Sequence, residues 1–413
     1  MSVRHRVVRG THARRRTAAV AGLLVAAMAT AGCSSSNSDD GSSSSQPQTQ
    51  TQSSASVSPS ASTPARSAAT VVRNVAAKGV HVDKTLTLTA KDGTFSRVVV
   101  KGAGKRLAGS MSSDKTSWAA SSRLEPGTRY HVRTVAVDAD GLKKVSSSAF
   151  RTEALTLDQQ TFPSFAPTAG QTVGVGMPVI IRFDVPVTNR AAIEKHLSVT
   201  NTSNQRGAWH WLSDSEVHWR PVHYWKPGTD VTVKADINSV PAGNGIYGQV
   251  SRTATFHVGR SVISKVNAQT HQMKTYIDGK LARTTPITTG KPGFTTRSGI
   301  KVIVEKFRHK RMNSETIGIA TNSSEGYDLD DVEYAMRLTY SGEFLHAAPW
   351  SVGSQGYANV SHGCTGMSTA NAEWLYNQSK PGDVVEYTGT DRQMTLDNGY
   401  GDCNESFSQY AKG

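Results

Sequence analysis

A turn motif that occurs twice, 101 residues apart, limits the folds open to this chain. Residues 124–132 read LEPGTRYHV and residues 225–233 read WKPGTDVTV. In both segments Pro-Gly favours a turn, and the residues after it alternate between polar and apolar, which is typical of a strand. The spacing equals the size of one β-sandwich domain. We therefore predict two all-β sandwich domains, at residues 71–153 and 154–259.

The N-terminus predicts export. Residues 1–17 hold six arginines and no acid, and residues 18–31 form an apolar run of 14 residues that ends just before Cys33. Such a run is too short for a stable bilayer-spanning helix, and this order of segments is typical of a signal peptide. Ala and Gly before Cys33 resemble the lipobox of bacterial lipoproteins. We predict a signal peptide at 1–33 and a lipid on Cys33 that anchors the protein at the outer face of the cytoplasmic membrane, within the cell wall. Ordinary secretion remains the alternative.

The amino-acid composition and the charge narrow the class of protein further. Residues 34–70 contain 19 Ser or Thr in 37 positions, which predicts a disordered tether. Three cysteines in 413 residues exclude a disulfide scaffold and a zinc ribbon, and a single apolar run excludes a multi-span membrane protein. The full sequence has a net charge of +14, and removal of residues 1–33 with their six arginines leaves 14 − 6 = +8. This basic surplus favours anionic wall polymers as partners, and no nucleic-acid motif is present. A tryptophan-rich segment, 209–225, is interpreted as core packing rather than as a sugar-stacking surface.

The C-terminal third holds a candidate nucleophile, Cys364. It follows Ser361, His362 and Gly363, and His346 lies 18 residues upstream. A thiol needs a base or a cation nearby to become a thiolate, and either histidine supplies one. The amides of Gly363 and Cys364 are candidates for an oxyanion pocket. A helix predicted to start near Ser368 would add its positive end.

Two other interpretations of these residues stay open at this point. His346, His362, Cys364 and Cys403 have the ligand types of a zinc site, although their spacing matches no short ligand motif. Alternatively, Cys364 is an inert buried thiol.

The same residues resemble a known family. The segment His346-x-x-Pro349-Trp350, the motif at 361–364 and the Gly/Pro loop at 289–293 are similar to those of the peptidoglycan L,D-transpeptidases. With the lipoprotein signal and two sandwiches of immunoglobulin-like type, the chain resembles the actinobacterial, mycobacterial-type members. The fold expected is mainly β: two immunoglobulin-like β-sandwiches, then a β-rich catalytic domain at 260–390 with a short helix after the cysteine, and a C-terminal extension at 391–413.

The resemblance implies roles for individual residues. Cys364 is expected to be the nucleophile and His346 its base and then acid, oriented by the carbonyl of Ala347. His362 and Gly363 are expected to flank the oxyanion pocket. The expected substrate-binding residues are Tyr327, Met312, Trp350 and Ser361. Gly366 departs from the family, which usually has Asn there.

The resemblance also implies a reaction. The thiolate would attack the third residue of a tetrapeptide stem, release D-Ala and pass the acyl group to the amine of another stem, making a 3→3 cross-link. Peptidoglycan stem peptides and carbapenem-type inhibitors are the expected partners, and no metal or cofactor is expected. An L,D-carboxypeptidase of the same fold, and a wall-binding lipoprotein with a degenerate catalytic domain, remain alternatives.

The last expectation concerns residues 306–335, which lie between the Gly/Pro loop and His346. They read as a long irregular segment, which favours a lid over the site that carries Met312 and Tyr327. The acidic run at 328–333 within it is interpreted as a helix N-terminus rather than as an attractor for an ammonium group. Gly366 is expected to loosen the pocket floor under this lid. Gly366→Asn would then be tolerated or would mildly change donor binding, whereas Tyr327→Ala would reduce acylation severely.

Overall fold

The computed structural model describes residues 65–413. The predicted signal peptide, its Cys33 and most of the predicted tether lie outside the described residues. The described part is mainly β with a few short helices, as the sequence predicts. No helix within 65–413 has both the length and the apolar character needed to cross a membrane.

The first sandwich consists of two antiparallel four-stranded sheets. Its strands are β1 (Thr70–Arg73), β2 (Thr87–Lys91), β3 (Thr94–Gly102), β4 (Lys105–Arg106), β5 (Gly109–Met111), β6 (Ser117–Ala120), β7 (Arg129–Val137) and β8 (Lys143–Arg151). The strand orders are β1-β2-β6-β5 and β4-β3-β7-β8. In β7, Tyr130 and Val132 are buried, while their neighbours Arg129, His131 and Arg133 are exposed. The alternation of the sequence therefore directs one side of this strand into the core.

The second sandwich begins after a 3₁₀ helix at Leu157–Gln159. Its strands are β9 (Gln160–Thr161), β10 (Pro163–Ala166), β11 (Thr172–Val173), β12 (Val179–Phe183), β13 (Leu197–Asn201), β14 (Gly207–Ser213), β15 (Glu216–Pro221), β16 (Asp230–Ala235), β17 (Pro241–Gly243), β18 (Ile246–Gly248) and β19 (Arg252–Val258), with helix α1 (Arg190–Glu194) between β12 and β13. Sheets β10-β12-β15-β14 and β11-β19-β16-β13 enclose the core, and β17-β18-β9 forms a small third sheet. The tryptophans of 209–225 pack as expected: Trp209 pairs across the strands with Trp219, which stacks on the buried Trp225.

The part of the chain that is predicted to be catalytic, called the catalytic part below, consists of two further sheets. Its strands are β20 (Val262–Asn267), β21 (Gln272–Ile277), β22 (Lys280–Pro286), β23 (Gly299–Val302), β24 (Glu305–Asn313), β25 (Asp328–Arg337), β26 (Phe344–Ala347), β27 (Thr365–Met367) and β28 (Val384–Thr388). The helices are α2 (Thr369–Gln378) and α3 (Phe407–Tyr410), with 3₁₀ helices at Ser314–Ile317, Pro349–Ser354 and Asp402–Asn404. The strand orders are β22-β21-β20-β28-β23 and β24-β25-β26-β27. The domain bounds given above stay predictions.

Helix α2 starts where the sequence indicates. Ser368 is its N-cap, and its side chain accepts a hydrogen bond from the amide of Asn371. Ala372 and Leu375 point from α2 into a core that also holds Met336 and Leu345, so the helix supports the strands that carry the site.

The segment 306–335 is not irregular. It forms most of the hairpin β24–β25, and only the residues around 314–327 are a loop. The acidic run is likewise part of strand β25 and not a helix N-terminus. Its carboxylates pair with cations of β24: Arg311 bonds Asp328 at 2.9 Å and Arg308 bonds Glu333 at 2.8 Å. Charge complementarity between the two strands of the hairpin therefore explains why acidic residues cluster in β25.

The second sandwich is joined to the catalytic sheets through backbone contacts. The Gly174 amide donates to Pro381 O at 2.9 Å, and the Gly176 amide donates to Gly382 O at 2.8 Å. A Cβ on Gly174 would lie 2.2 Å from the amide nitrogen of Asp383, so only glycine allows this approach. The junction fixes the catalytic part on the second sandwich.

Candidate active site

Parallel pairing of β26 with β27 brings the candidate nucleophile and base together. His346 lies opposite Gly366, and Leu345 lies opposite Thr365, the residue directly after Cys364. Neighbouring strands are about 4.8 Å apart, so the pairing closes the 18-residue separation that the sequence shows.

Seven of the eight residues predicted from the sequence for catalysis or substrate binding line one pocket of about 310 Å³. Its lining is Met312, Tyr327, Leu329, His346, Trp350, Val360, Ser361, His362 and Cys364. The eighth, Gly363, is buried in the turn just before Cys364. A second hollow of about 260 Å³ shares Met312, Tyr327 and Cys364 with the first and is lined in addition by Lys310, Arg311 and Arg337. Cys364 is therefore accessible from two cavities of different charge.

His346 is held in one tautomer. Its Nδ1 lies 2.7 Å from the carbonyl oxygen of Ala347, which can only accept, so Nδ1 carries the proton. This leaves Nε2 unprotonated and able to take a proton from a thiol. The side chain is buried, and burial lowers the pKa of His346. Trp350 stacks on the imidazole with ring centroids 5.9 Å apart and is itself 58% exposed, so it forms the outer wall of the site.

Hydrogen bonds fix the turn that carries Cys364. Ser361 Oγ donates to Cys364 O at 2.6 Å and accepts from the Gly363 amide at 3.1 Å. Thr296 Oγ1 donates to Gly363 O at 2.8 Å. Gly363 has a φ of +121°, a conformation that favours glycine. Because the Gly363 amide already bonds Ser361, it would have to release that hydroxyl to bind an oxyanion.

The thiol of Cys364 is neutral in the resting structure. Burial raises its pKa to about 12, although the amide of Phe344 and the charge of Lys301 lower it in part. The expected contribution of a helix dipole is missing, because strand β27 separates Cys364 from the first residue of α2. A dipole acts within about one turn of the helix end, and four extended residues span about 13 Å.

A buried ion-pair network under this turn was not predicted from the sequence. Lys301 Nζ donates to Glu343 Oε2, and the guanidinium of Arg297 donates to Glu343 Oε1 at 2.9 Å. Lys301 is fully buried and its ammonium lies 3.7 Å from the ring centroid of Tyr387. Glu343 also packs beneath Gly363, since a Cβ there would lie 3.7 Å from Glu343 Cγ. No local sequence pattern signals this network, because its members lie on different strands and loops.

A second unpredicted carboxylate, Glu325, links the hairpin loop to the site. Its Oε2 lies 2.7 Å from His362 Nε2 and 2.6 Å from Lys291 Nζ. His362 also contacts Phe294 and Tyr327, with ring centroids 4.5 and 5.3 Å away. His362 therefore links the loop of the β24–β25 hairpin to the turn that carries Cys364.

Gly366 does not loosen the pocket floor, contrary to the expectation from the sequence. Its amide and carbonyl form two hydrogen bonds with Thr288, at 2.9 and 3.0 Å. A Cβ at this position would lie 2.9 Å from Ala348 Cβ and 3.1 Å from Thr288 Cγ2. The site is closely packed there, and the asparagine usual in the family would not fit without a shift of its neighbours.

Cys403 lies apart from these residues. It belongs to the 3₁₀ helix Asp402–Asn404 and does not line the pocket of Cys364. Across residues 65–413, no three His, Cys, Asp or Glu side chains are grouped as a metal would require.

Two family models match parts of this chain. Residues 77–241 match the bacterial Ig domain family, and residues 261–386 match the L,D-transpeptidase catalytic domain family. L,D-transpeptidase 2 of Mycobacterium tuberculosis is 36% identical over 339 residues, which is 82% of this chain and 82% of the relative. L,D-transpeptidase 5 of the same species is 36% identical over 81% of this chain and 72% of its own length. A crystal structure of L,D-transpeptidase 3 from that species with a faropenem-derived adduct is 32% identical, covering 55% of this chain and 97% of that chain with a TM-score of 0.47. The match over most of both chains shows that this protein belongs to the L,D-transpeptidase family and is an L,D-transpeptidase.

Proposed function

We propose that this L,D-transpeptidase forms 3→3 cross-links between peptidoglycan stems through a thioester on Cys364. The observation that carries the proposal is the pairing of β26 with β27, which places Cys364 in the lining of the same pocket as an imidazole whose Nδ1 is fixed by Ala347 O at 2.7 Å. A thiol that is accessible from the pocket, a base with a free Nε2 and a cavity that admits a substrate are the components that acyl transfer needs.

Acylation begins with proton transfer. His346 Nε2 takes the proton of Cys364 Sγ as the sulfur attacks the carbonyl carbon of the third residue of a tetrapeptide stem. The amide of Cys364, and that of Gly363 once it leaves Ser361, would stabilise the oxyanion. The imidazolium of His346 then gives its proton to the nitrogen of the departing D-Ala, and a thioester remains on Cys364.

Deacylation reverses the roles. The side-chain amine of a second stem attacks the thioester carbonyl, and His346 takes a proton from the attacking nitrogen. The thiolate leaves and recovers a proton, and the new amide is the cross-link. The histidine is neutral at the start of both half-reactions, which agrees with the lowered pKa of His346.

The two cavities at Cys364 supply room for two stems. Lys310, Arg311 and Arg337 line one hollow. Arg311 and Arg337 pair with Asp328 and Glu305, whereas Lys310 has no ion-pair partner among the described residues, so the hollow suits the terminal carboxylate of the D-Ala that leaves. The more apolar pocket with Trp350 and His362 would then receive the uncharged acceptor amine.

Incubation with a disaccharide-tetrapeptide tests the reaction. Mass analysis should show dimers that have lost one D-Ala, and Cys364→Ala should give none. Tripeptide monomers without dimers would contradict the proposal and assign water as the acceptor. In addition, a carbapenem should add covalently to the wild-type chain and not to the Cys364→Ala chain.

We further propose that a lipid on Cys33 holds the enzyme at the outer face of the cytoplasmic membrane. The support is the sequence alone, in which a basic and then an apolar segment lead to Ala-Gly-Cys33. Cys33→Ser should move the protein from the membrane fraction to the soluble fraction, with Cys403→Ser as the matched control. Unchanged fractionation of Cys33→Ser would contradict the anchor.

A further inference from the structure

One sheet of the first sandwich carries an unbalanced positive charge. Its four strands, β4-β3-β7-β8, contain nine Lys or Arg and no Asp or Glu. The nine are Arg97, Lys101, Lys105, Arg106, Arg129, Arg133, Lys143, Lys144 and Arg151. The ion pairs that involve residues 65–153 are His81 with Glu153 and Arg123 with Asp236, so none of the nine is neutralised by a described residue.

The strand register gathers these cations on the outer side of the sheet. Lys101 lies opposite His131, and Arg129 lies opposite Arg151. Arg129, His131 and Arg133 of β7 are exposed, Val135 and Val137 on the same side are half-buried, and the intervening residues are buried. We call the outward residues Arg97, Lys101, Arg129, His131, Arg133 and Arg151 the basic face.

A shallow groove runs between β3 and β7 on the basic face. It has a volume of about 370 Å³, and Val99 and Val135 lie among the cations that line it. Residues four positions apart along one strand are about 13.6 Å apart, so Arg129 and Arg133 of β7 space their charges along the basic face. Repeated cations along an open groove suit a linear polyanion better than one small anion.

The aromatic side chains of this sheet do not contribute to the basic face. Phe95, Tyr130 and Phe150 are 1–2% exposed and pack in the core. Sugar rings and nucleic acid bases often stack on exposed aromatic rings, and this face has no such ring. What it offers is charge, mostly as guanidinium groups, which bond phosphate in a bidentate manner.

We propose that the basic face binds a linear phosphodiester polymer of the cell wall. This binding goes beyond the transfer reaction at Cys364. It would hold the first sandwich on the anionic polymer and keep the catalytic part near the peptide stems. The proposal does not depend on the acyl transfer chemistry, since polymer binding and acylation are measured separately.

Sedimentation with cell-wall sacculi tests the proposal. The full chain, purified in detergent, is mixed with Gram-positive sacculi that retain their phosphodiester polymers and with the same sacculi after hydrofluoric acid, which cleaves phosphodiesters. We expect binding to the intact sacculi to be at least fivefold stronger. Equal binding to the two preparations would assign the interaction to peptide carboxylates or glycan and overturn the proposal.

A charge-matched pair of variants locates the site. Arg97→Gln/Lys101→Gln/Arg133→Gln removes three cations from the basic face, and Lys78→Gln/Lys84→Gln/Lys91→Gln removes three exposed lysines elsewhere in the same sandwich. The first triple should weaken binding about tenfold or more and reduce the salt dependence of log K by about 2, at roughly 0.7 per phosphate contact. The second should stay within about twofold of wild type. Equal losses in the two triples would overturn the assignment to this face, and carbapenem acylation unchanged in both verifies folding.

Discussion

Glu343 and Lys301 form a buried ion pair beneath the turn that carries the nucleophile. The Lys301 side chain is 0% exposed and that of Glu343 6%, and the carboxylate is shared with Arg297. A buried pair of this kind costs desolvation energy, so its position under Gly363 suggests a role in placing the turn rather than in stability alone.

Removing one partner tests that role. Glu343→Gln leaves the Lys301 ammonium buried without a counter-charge, which should lower the free energy of unfolding by about 3–5 kcal/mol and slow carbapenem acylation. Glu343→Gln/Lys301→Met removes both charges of the pair, although the Arg297 guanidinium, 14% exposed, loses its carboxylate. The double variant should therefore recover much of the stability in urea unfolding. If the double variant recovers stability but acylates slowly, Glu343 is a positioning residue. If it also recovers the full acylation rate, the pair is only structural.

The protonation state of Cys364 makes a kinetic prediction. Burial raises the pKa of its thiol to about 12, so the thiolate fraction grows about tenfold per pH unit over the ordinary range. Alkylation of Cys364 by iodoacetamide, followed by peptide mass spectrometry, should therefore keep rising from pH 6 to pH 9. Carbapenem acylation should already be fast at pH 7, because His346 takes the proton during attack, and His346→Gln should remove this advantage. An alkylation rate that is flat over this pH range would show a preformed thiolate instead.

The sequence predicted those strands and helices that a short stretch of neighbouring residues is enough to indicate. Repeated Pro-Gly turns and alternating strands indicated the sandwiches, and Ser368 marked the start of α2. The hairpin β24–β25 was missed because its first strand, EKFRHKRMN, shows no apolar alternation; its partner supplies the matching charges only in register. The pair of Glu343 and Lys301 was missed for a similar reason, since 42 residues separate the partners and each reads as a surface residue.

Gly366 makes a stability prediction that reverses the expectation from the sequence. A Cβ there would lie 2.9 Å from Ala348 Cβ, so Gly366→Asn should destabilise the protein by about 1–3 kcal/mol through overpacking. Ala348→Gly in the same chain removes the nearest atom and should restore part of the loss. Thermal unfolding of the single and double variants measures both effects. A Gly366→Asn variant as stable as wild type would show that the neighbours move freely.

His218 makes the junction between the second sandwich and the C-terminal extension sensitive to pH. It is buried between Asp402 and Glu216, 2.9 and 2.7 Å away, and these carboxylates outweigh burial and raise the pKa of His218 to about 9. The unfolded value is about 6.5, so this stabilisation is complete below pH 6.5 and is lost as the pH rises to 9. At about 1.4 kcal/mol per unit, the loss approaches 3 kcal/mol. Urea unfolding followed by tryptophan fluorescence at pH 6 and 9 should show it in wild type and not in His218→Gln; equal pH dependence in the two proteins would contradict the assignment.

Tyr327 is expected to form part of the substrate site, since it lies where the hairpin loop meets the nucleophile. Its ring contributes to both cavities at Cys364 and packs against His362, and burial raises the pKa of its hydroxyl to about 12, so the group stays a neutral donor. Tyr327→Ala removes apolar area and a hydroxyl from the site and should slow carbapenem acylation about tenfold or more, because loss of a positioning contact of 1–2 kcal/mol has this effect on a rate. Tyr327→Phe separates the two contributions: a rate near wild type assigns the effect to the ring, and a rate near that of Tyr327→Ala assigns it to the hydroxyl.

Tyr357→Ala is the matched control, since Tyr357 is 81% exposed and lines neither cavity. Acylation of Tyr327→Ala at the rate of this control would rule out a role for the tyrosine in the site.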